Sequence, residues 1–243
     1  AEVYAAATKK DQAMILFRDA VAMRDLSPEL AARLKKSGAD DKVWNLYDAQ
    51  SGSFFRPIAS EDFGQSGPRP HCALVDEVHE HRNAVVVDMM RKGFKWRRQP
   101  MQVEITNSGF DRHSICWQHH EYSIQLLEGF DAPGGIANDQ WFAYVCTLDP
   151  CGRCRAAGAK APISDCADCD SWRDEVVWPK ANPNLGVSIT LDYLRKQVAE
   201  ALGMPATQNI TRRLNFCEWT EQSVRSIDMA QWDRGAAPID IAE

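Results

Sequence analysis

At 243 residues, 44% hydrophobic and 26% charged, the chain can bury a sizeable core, as one large domain or one domain with appendages. Its formal net charge of −6 excludes a free-standing nucleic-acid binder that works by bulk charge, so any DNA contact must be local. No apolar run reaches the length of a membrane span.

Residues 2–7 read as a strand. The sequence opens on this segment with no basic leader and no initiator Met, which predicts a fragment of a longer protein. Thr8 to Asp11 has capping-box spacing, and a helix should follow to near Arg24, burying Ala13, Phe17, Ala20 and Val21. Ser27-Pro28-Glu29 starts a second helix that Gly38 would end. Residues 42–47 and 53–58 read as strands around Ser51-Gly52, and 62–68 as a loop by composition. A short apolar strand then runs to Asp76, followed by a helix from about Asn83 to Phe94. Met101–Ile105 is a further strand, ending in the turn Thr106-Asn107-Ser108-Gly109, and a helix spans roughly Ser114–Leu127. Trp141–Leu148 reads as a strand leading into a cysteine-rich stretch. Thr190 caps a helix ending at Gly203, a last helix covers about Pro205–Phe216, and the tail from Ser226 is weakly patterned. Strands alternating with helices predict a mostly parallel sheet flanked by helices.

Ala73-Leu74-Val75 runs straight into Asp76 and Glu77. A buried strand that ends in two acids puts two carboxylates at the carboxyl edge of a parallel sheet, where open α/β sheets bind ligands. Neighbouring side chains on a strand end diverge, so one acid can face a metal and the other a water, as phosphoryl transfer requires. Taken alone, the Asp-Glu pair also fits a plain turn cap. One helix later, Thr106, Asn107 and Ser108 arrive at a sheet edge, and if the two strands are adjacent and parallel they lie beside the acids. A glycine-rich loop of the form G-x-x-x-x-G-K-[ST] occurs nowhere in the 243 residues, so half of an ATPase site is written here.

Eight cysteines without a visible secretory leader point to metal or buried thiols rather than disulfides. Cys151/Cys154 and Cys166/Cys169 are two C-x-x-C pairs separated by eleven residues. Two short loops that each offer two thiolates suit a closed tetrahedral Zn²⁺ site of structural type, with an iron–sulfur cluster or free thiols as the alternatives. Cys146 is a spare ligand. Arg91 to Arg98 mixes five cations with two aromatics. Lys95, Arg97 and Arg98 are nucleic-acid candidates there, against a plain reading as cations at a helix C-terminus. His119 and His120 point about 100° apart on a helix and cannot easily share a metal.

Several segments resemble the large terminase subunits of tailed bacteriophages. Residues 1–13 are similar to the segment after that family's phosphate loop. Val75-Asp76-Glu77-Val78-His79-Glu80-His81 resembles its Walker B motif, and Ile105 to Asp111 its coupling motif. Trp178 to Gly186 resembles a further signature that leads toward a linker including Arg212-Arg213-Leu214-Asn215. Beside the small Cys-rich zinc-binding insert, which is read from its cysteine spacing and departs from the simplest members of the family, the resemblance implies an α/β fold with a mostly parallel P-loop-NTPase-type (ASCE) sheet flanked by helices and a helical C-terminal linker. It implies the C-terminal part of an ATPase domain in residues 1–145, the insert in 146–172, and the end of the ATPase domain with a linker toward a missing nuclease in 173–243.

By position, Asp76 would coordinate Mg²⁺, Glu77 would be the catalytic glutamate, and Thr106, Asn107, Ser108 and Gly109 would couple ATP hydrolysis to movement. Cofactors would be ATP and Mg²⁺, beside structural Zn²⁺. Partners would be double-stranded viral DNA, the portal protein, the small terminase subunit and further copies of the chain in a ring, with no membrane. The place of action would be the procapsid portal in the bacterial host cytoplasm. Without phosphate-loop residues, this segment alone should turn over little or no ATP. Two other readings fit the residues: a catalytically inactive, zinc-stabilised interaction module derived from an ATPase, or a metal-dependent nuclease fragment using Asp76, Glu77 and Asp111.

Overall fold

The structure is a computed structural model that describes residues 1–38, 42–59, 67–129, 135–163 and 166–220. It divides into two units. One comprises Ala1–Asn107 with His113–His119, and the other Ser108–Arg112 with His120 onward.

The first unit is built on a six-stranded sheet in the order β2-β3-β4-β1-β5-β6. Its strands are β1 (Glu2–Ala7), β2 (Leu34–Ser37), β3 (Asn45–Asp48), β4 (Ser53–Ala59), β5 (Cys72–Asp76) and β6 (Met101–Ile105). β4, β1, β5 and β6 run parallel, while β2 and β3 form an antiparallel margin. The central strands are small and apolar on both faces, with Ala5, Ala6, Ala7, Ala73 and Val75 all but excluded from solvent, as a sheet covered on both sides requires. Helix α1 (Lys10–Leu26) lays Phe17 against Val43, Leu46 and Phe55. Helix α3 (Val85–Gly93) buries Val86, Val87 and Met90.

Three sequence expectations are corrected in this unit. The N-cap of α1 is Lys9 rather than Thr8, because the Gln12 side chain reaches back to accept from the Lys9 amide (3.3 Å) and from the Thr8 hydroxyl (2.7 Å). Helix α2 (Pro28–Arg33) stops short of Gly38. The Arg24 side chain takes up the carbonyls of Ala31 and Leu34, and the chain leaves as β2 to pair with β3. The strand expected at 42–47 is shifted to Asn45–Asp48. Its turn to β4 is held by the Asp48 carboxylate, which accepts from the Gln50 amide (2.9 Å), and by Gly52 at φ 67°. The loop expected at 62–68 lies outside the described residues from 62 to 66.

Helix α4 (Ile115–Gly129) passes from the first unit into the second. The second unit also holds α5 (Gly152–Ala156), α6 (Trp178–Ala181), α7 (Leu191–Gly203) and α8 (Pro205–Phe216). Its core gathers Leu148, Trp172, Trp178, Leu194, Val198 and Phe216. Thr190 caps α7 as expected, accepting from the Tyr193 amide. Trp141–Leu148 is not a strand. The two-residue alternation is present, but among the described residues no neighbouring strand is hydrogen-bonded to it. Side chains anchor the segment instead: Trp141 Nε1 donates to Ser123 Oγ (3.0 Å), and Thr147 Oγ1 donates to the Cys217 carbonyl (3.0 Å). The tail from Ser226 lies outside the described residues, and no helix among them is long and apolar enough to cross a membrane.

Candidate functional site

Parallel pairing of β5 with β6 sets Asp76 level with Ile105, so both strands deliver their carboxyl ends to one edge of the sheet. The chain leaves β5 through Glu77, which sits in the left-handed region (φ 49°, ψ 54°). A non-glycine residue there costs on the order of 1–3 kcal/mol and persists only where its surroundings hold it. Here a single turn of 3-10 helix, Val78–Glu80, follows at once, with Val78 buried beneath it. The sharp turn separates the two acids. Asp76 Oδ1 accepts from the Glu77 amide (3.0 Å), while the Glu77 carboxylate turns toward His79.

His79 joins the two motifs. Its backbone amide donates to Thr106 Oγ1 (2.9 Å), and its Nδ1 lies 3.1 Å from both Thr106 Oγ1 and Glu77 Oε2. The Glu77 oxygen is buried and lies close against the ring without the alignment of a directional hydrogen bond. The imidazole, with a further contribution from the Asn107 backbone, holds the Glu77 carboxyl below the ordinary carboxylate range, against the opposing effect of burial. Below this cluster, Glu104 on β6 meets His119 Nδ1 at 2.6 Å. Burial raises the Glu104 carboxyl, but His119 and Gln102 together bring it below its usual range. His81 Nε2 lies 3.3 Å from the Asp76 carbonyl, and burial lowers its pKa.

Of the expected coupling residues, Thr106 and Asn107 belong to the first unit, with Glu77 and His79, and Ser108 and Gly109 belong to the second. Within the second unit Ser108 is buried, and its hydroxyl donates to the Glu218 carbonyl (2.8 Å). The Thr220 amide reaches the Gly109 carbonyl, and the Arg213 guanidinium lies over Phe110 (5.0 Å). Arg212 is committed to Glu218, 3% exposed, through Nε at 2.6 Å. Burial nevertheless pushes the Glu218 carboxyl up.

The four cysteines come together in the second unit. Their Sγ atoms all lie within 4.8 Å of one another, and this is the metal-competent group of His, Cys, Asp and Glu found among the described residues. Asp76 and Glu77 belong to the first unit and Asp111 to the second. Cys151 Sγ and Cys166 Sγ are 3.8 Å apart. A tetrahedral ion with Zn–S bonds of about 2.3 Å has S···S edges of about 3.8 Å, which the Cys151–Cys166 edge matches and which the other pairs, within 4.8 Å, reach by moving about 1 Å at most. The Asp168 amide and Arg153 hold the Cys166 thiol down at about 6, whereas the hydrogen bonds that the Cys154 thiol donates to Cys151 and Cys166 push Cys154 up to about 12. The flanks of the cluster are latched: the Asp149 amide donates to Asp170 Oδ2 (2.8 Å), and Lys180 bridges Asp149 and Asp170.

Arg97, one of the nucleic-acid candidates, is turned inward. It donates to the Arg69 carbonyl and pairs with Glu2 (3.3 Å). Lys95 and Arg98 are exposed beside Trp96. The Trp178–Gly186 signature acts in packing: Trp178 Nε1 donates to the Trp172 carbonyl, and Asn182 Nδ2 donates to the Asn215 carbonyl at the end of α8. Sequence reasoning saw His79 only as a flanking residue. The signal that could have found it is its position two residues beyond an acid that ends a strand, where a tight turn swings a side chain back onto that acid.

Comparison with known proteins gives a consistent result. A family model for the ATPase domain of the terminase large subunit matches residues 1–125, and one for its endonuclease domain matches residues 163–243. Protein YmfN of Escherichia coli (strain K12) is 28% identical over 166 residues, which is 68% of this chain and 31% of YmfN. The crystal structure of the HK97 bacteriophage large terminase superposes with a TM-score of 0.67 at 18% identity, covering 90% of this chain and 40% of that one. At that identity the likeness shows the fold. The chain therefore spans well under half the length of either relative.

Proposed function

From the chain's membership of the terminase large subunit family, we propose that it is part of an ATP-driven motor that moves double-stranded viral DNA into a procapsid. Residues 1–145 are the ATPase part and 146–172 the zinc insert, while 173–243 fall within the stretch that is similar to the endonuclease domain rather than at the end of the ATPase domain. The motor works as a ring of copies at the portal, with the small terminase subunit, in the bacterial host. The observation that carries the reading is the meeting of Asp76, Glu77 and Thr106 at one carboxyl edge of parallel strands, with Glu77 and Thr106 joined through His79.

Asp76 is the metal-side acid. A hard carboxylate at a sheet rim suits Mg²⁺, which takes one or two carboxylates together with substrate phosphates. Bound there, the ion supplies charge neutralisation at the β- and γ-phosphates. Glu77, ionised near neutral pH, accepts a hydrogen bond from the attacking water and aligns it. Thr106 and Asn107 sense the γ-phosphate side of the site. β6 is the last strand of the sheet, with Met101 and Ile105 more than half exposed, which leaves that edge open to the strand that carries the phosphate loop. The four cysteines hold a structural zinc ion. Similarity to the endonuclease model over 163–243 supports DNA cleavage by the same protein.

The test is an ATPase and packaging assay on the full-length protein carrying Asp76→Asn. The substitution should abolish packaging and weaken Mg²⁺-dependent nucleotide binding. An interaction module without catalysis would be indifferent to it, and unchanged packaging would reject the motor reading.

A further inference from the structure

We propose that His79 is a positioning residue that fastens the Glu77 carboxylate and the Thr106 hydroxyl to a single imidazole ring, so that the acid and the coupling turn move as one. The inference rests on the reading of Glu77 as the residue that aligns the attacking water.

The hydrogen-bond network assigns the proton. Thr106 Oγ1 donates its hydrogen to the Asn107 carbonyl (2.8 Å), so toward His79 it acts as an acceptor. It takes one hydrogen from the His79 amide (2.9 Å) and a second from Nδ1 (3.1 Å). Nδ1 therefore carries a proton directed to the threonine oxygen, and Glu77 Oε2 stands beside the same nitrogen, also at 3.1 Å but outside hydrogen-bond alignment. On the far side of the ring, Nε2 faces Glu80 Oε1 at 3.3 Å. The His79 side chain is 5% exposed, so little water competes for either nitrogen.

Geometry gives this proton a task. Glu77 stands on a left-handed backbone in which its carboxylate has no strand neighbour to align it, and His79 is the cation-capable group beside it. A shift of the Thr106 hydroxyl moves the acceptor of the Nδ1 proton, and with it the ring that lies against Glu77. Displacement of the turn is thereby transmitted to the acid through one ring, within one unit. Misplacement of a reacting group by about 1 Å costs on the order of a hundredfold in rate.

The experiment uses the full-length protein with His79→Leu, His79→Asn, Thr106→Val and the double variant His79→Leu/Thr106→Val, with Glu77→Gln as control. Leucine fills the buried space without a donor, whereas asparagine places an amide nitrogen near the position of Nδ1. His79→Leu should lower kcat for ATP about tenfold or more and leave KM nearly unchanged. His79→Asn should recover most of the loss, and adding Thr106→Val to His79→Leu should lower kcat no further. The melting temperatures of the nucleotide-free proteins should show the same non-additivity, which registers the contact independently of turnover. Equal activity of the leucine and asparagine variants, or additive losses, would overturn the proposal while a dead Glu77→Gln leaves the motor reading intact. Full activity in Glu77→Gln would overturn both.

Discussion

Glu77→Gln in the full-length protein should cut ATP turnover by about a hundredfold to ten-thousandfold while nucleotide binding persists. The amide preserves the volume and the left-handed turn, so Val78 stays buried and the sheet edge keeps its shape. What is lost is the negative charge that orients the water, and a hundredfold loss corresponds to about 2.7 kcal/mol of transition-state stabilisation. His79 and the Asn107 backbone hold the wild-type carboxyl below the ordinary range, so it is already ionised near neutral pH. Rate should therefore not fall through loss of this charge as pH drops from neutral toward the usual carboxylate range. Steady-state kinetics with a fluorescent nucleotide-binding assay separates the two effects. A Glu77→Gln variant with weakened binding and unchanged kcat would place the residue outside the chemistry.

Removal of the metal from the cysteine cluster should be the largest single perturbation of the second unit. One zinc per chain is expected by elemental analysis, and Cys154→Ser should lose it. Cys154 and Cys169 are buried, and the cluster is followed within three residues by Trp172 of the unit's core. The Cys151 amide also donates to Cys169 Sγ (3.2 Å), so the two C-x-x-C loops are held face to face. Without the ion, four thiols stand within 4.8 Å with protons to share and little apolar area between them. Structural zinc contributes folding energy outright, and loss of a few kcal/mol should lower the melting temperature by roughly 10 °C. Trp172 and Trp178 report the change, because Trp178 Nε1 bonds the Trp172 carbonyl and both lie in the same core. Their emission should shift to the red on chelation. Binding must also displace thiol protons, that of Cys154 among them, so zinc should be harder to strip as pH rises. A protein that holds no zinc and keeps its tryptophan emission after Cys154→Ser would remove the metal from the account.

The parallel core was legible because its physics is local. Apolar strands ending in Asp76 and Ile105, helices with Phe17 and Val87 at buried positions, and the Pro28 and Thr190 helix starts all carry their own signals. The paired C-x-x-C spacing was equally direct. Pairing partners were not legible. Leu34–Ser37 became a strand because β3 was there to receive it, and Trp141–Leu148, with clearer alternation, stayed irregular because no strand was. Side-chain destinations were hidden for the same reason. Arg212, which the sequence places only in the linker, is spent on Glu218, and Arg97, a nucleic-acid candidate weighed against a plain helix-end cation, pairs with Glu2. Breaking a buried pair such as Arg212–Glu218 costs about 3–5 kcal/mol, so its first role is structural. His79 could be valued only once Thr106 was seen to lie against it.

The most direct measurement is a structure of the full-length protein with Mg²⁺ and a non-hydrolysable ATP analogue. The expected result puts the phosphates at the carboxyl edge of β5 and β6, with Asp76 on the metal side, Glu77 facing the water beyond the γ-phosphate, and Thr106 still joined to His79. Nucleotide bound elsewhere, or bound at that edge with Asp76 and Glu77 turned away from it, would contradict the assignment of this site.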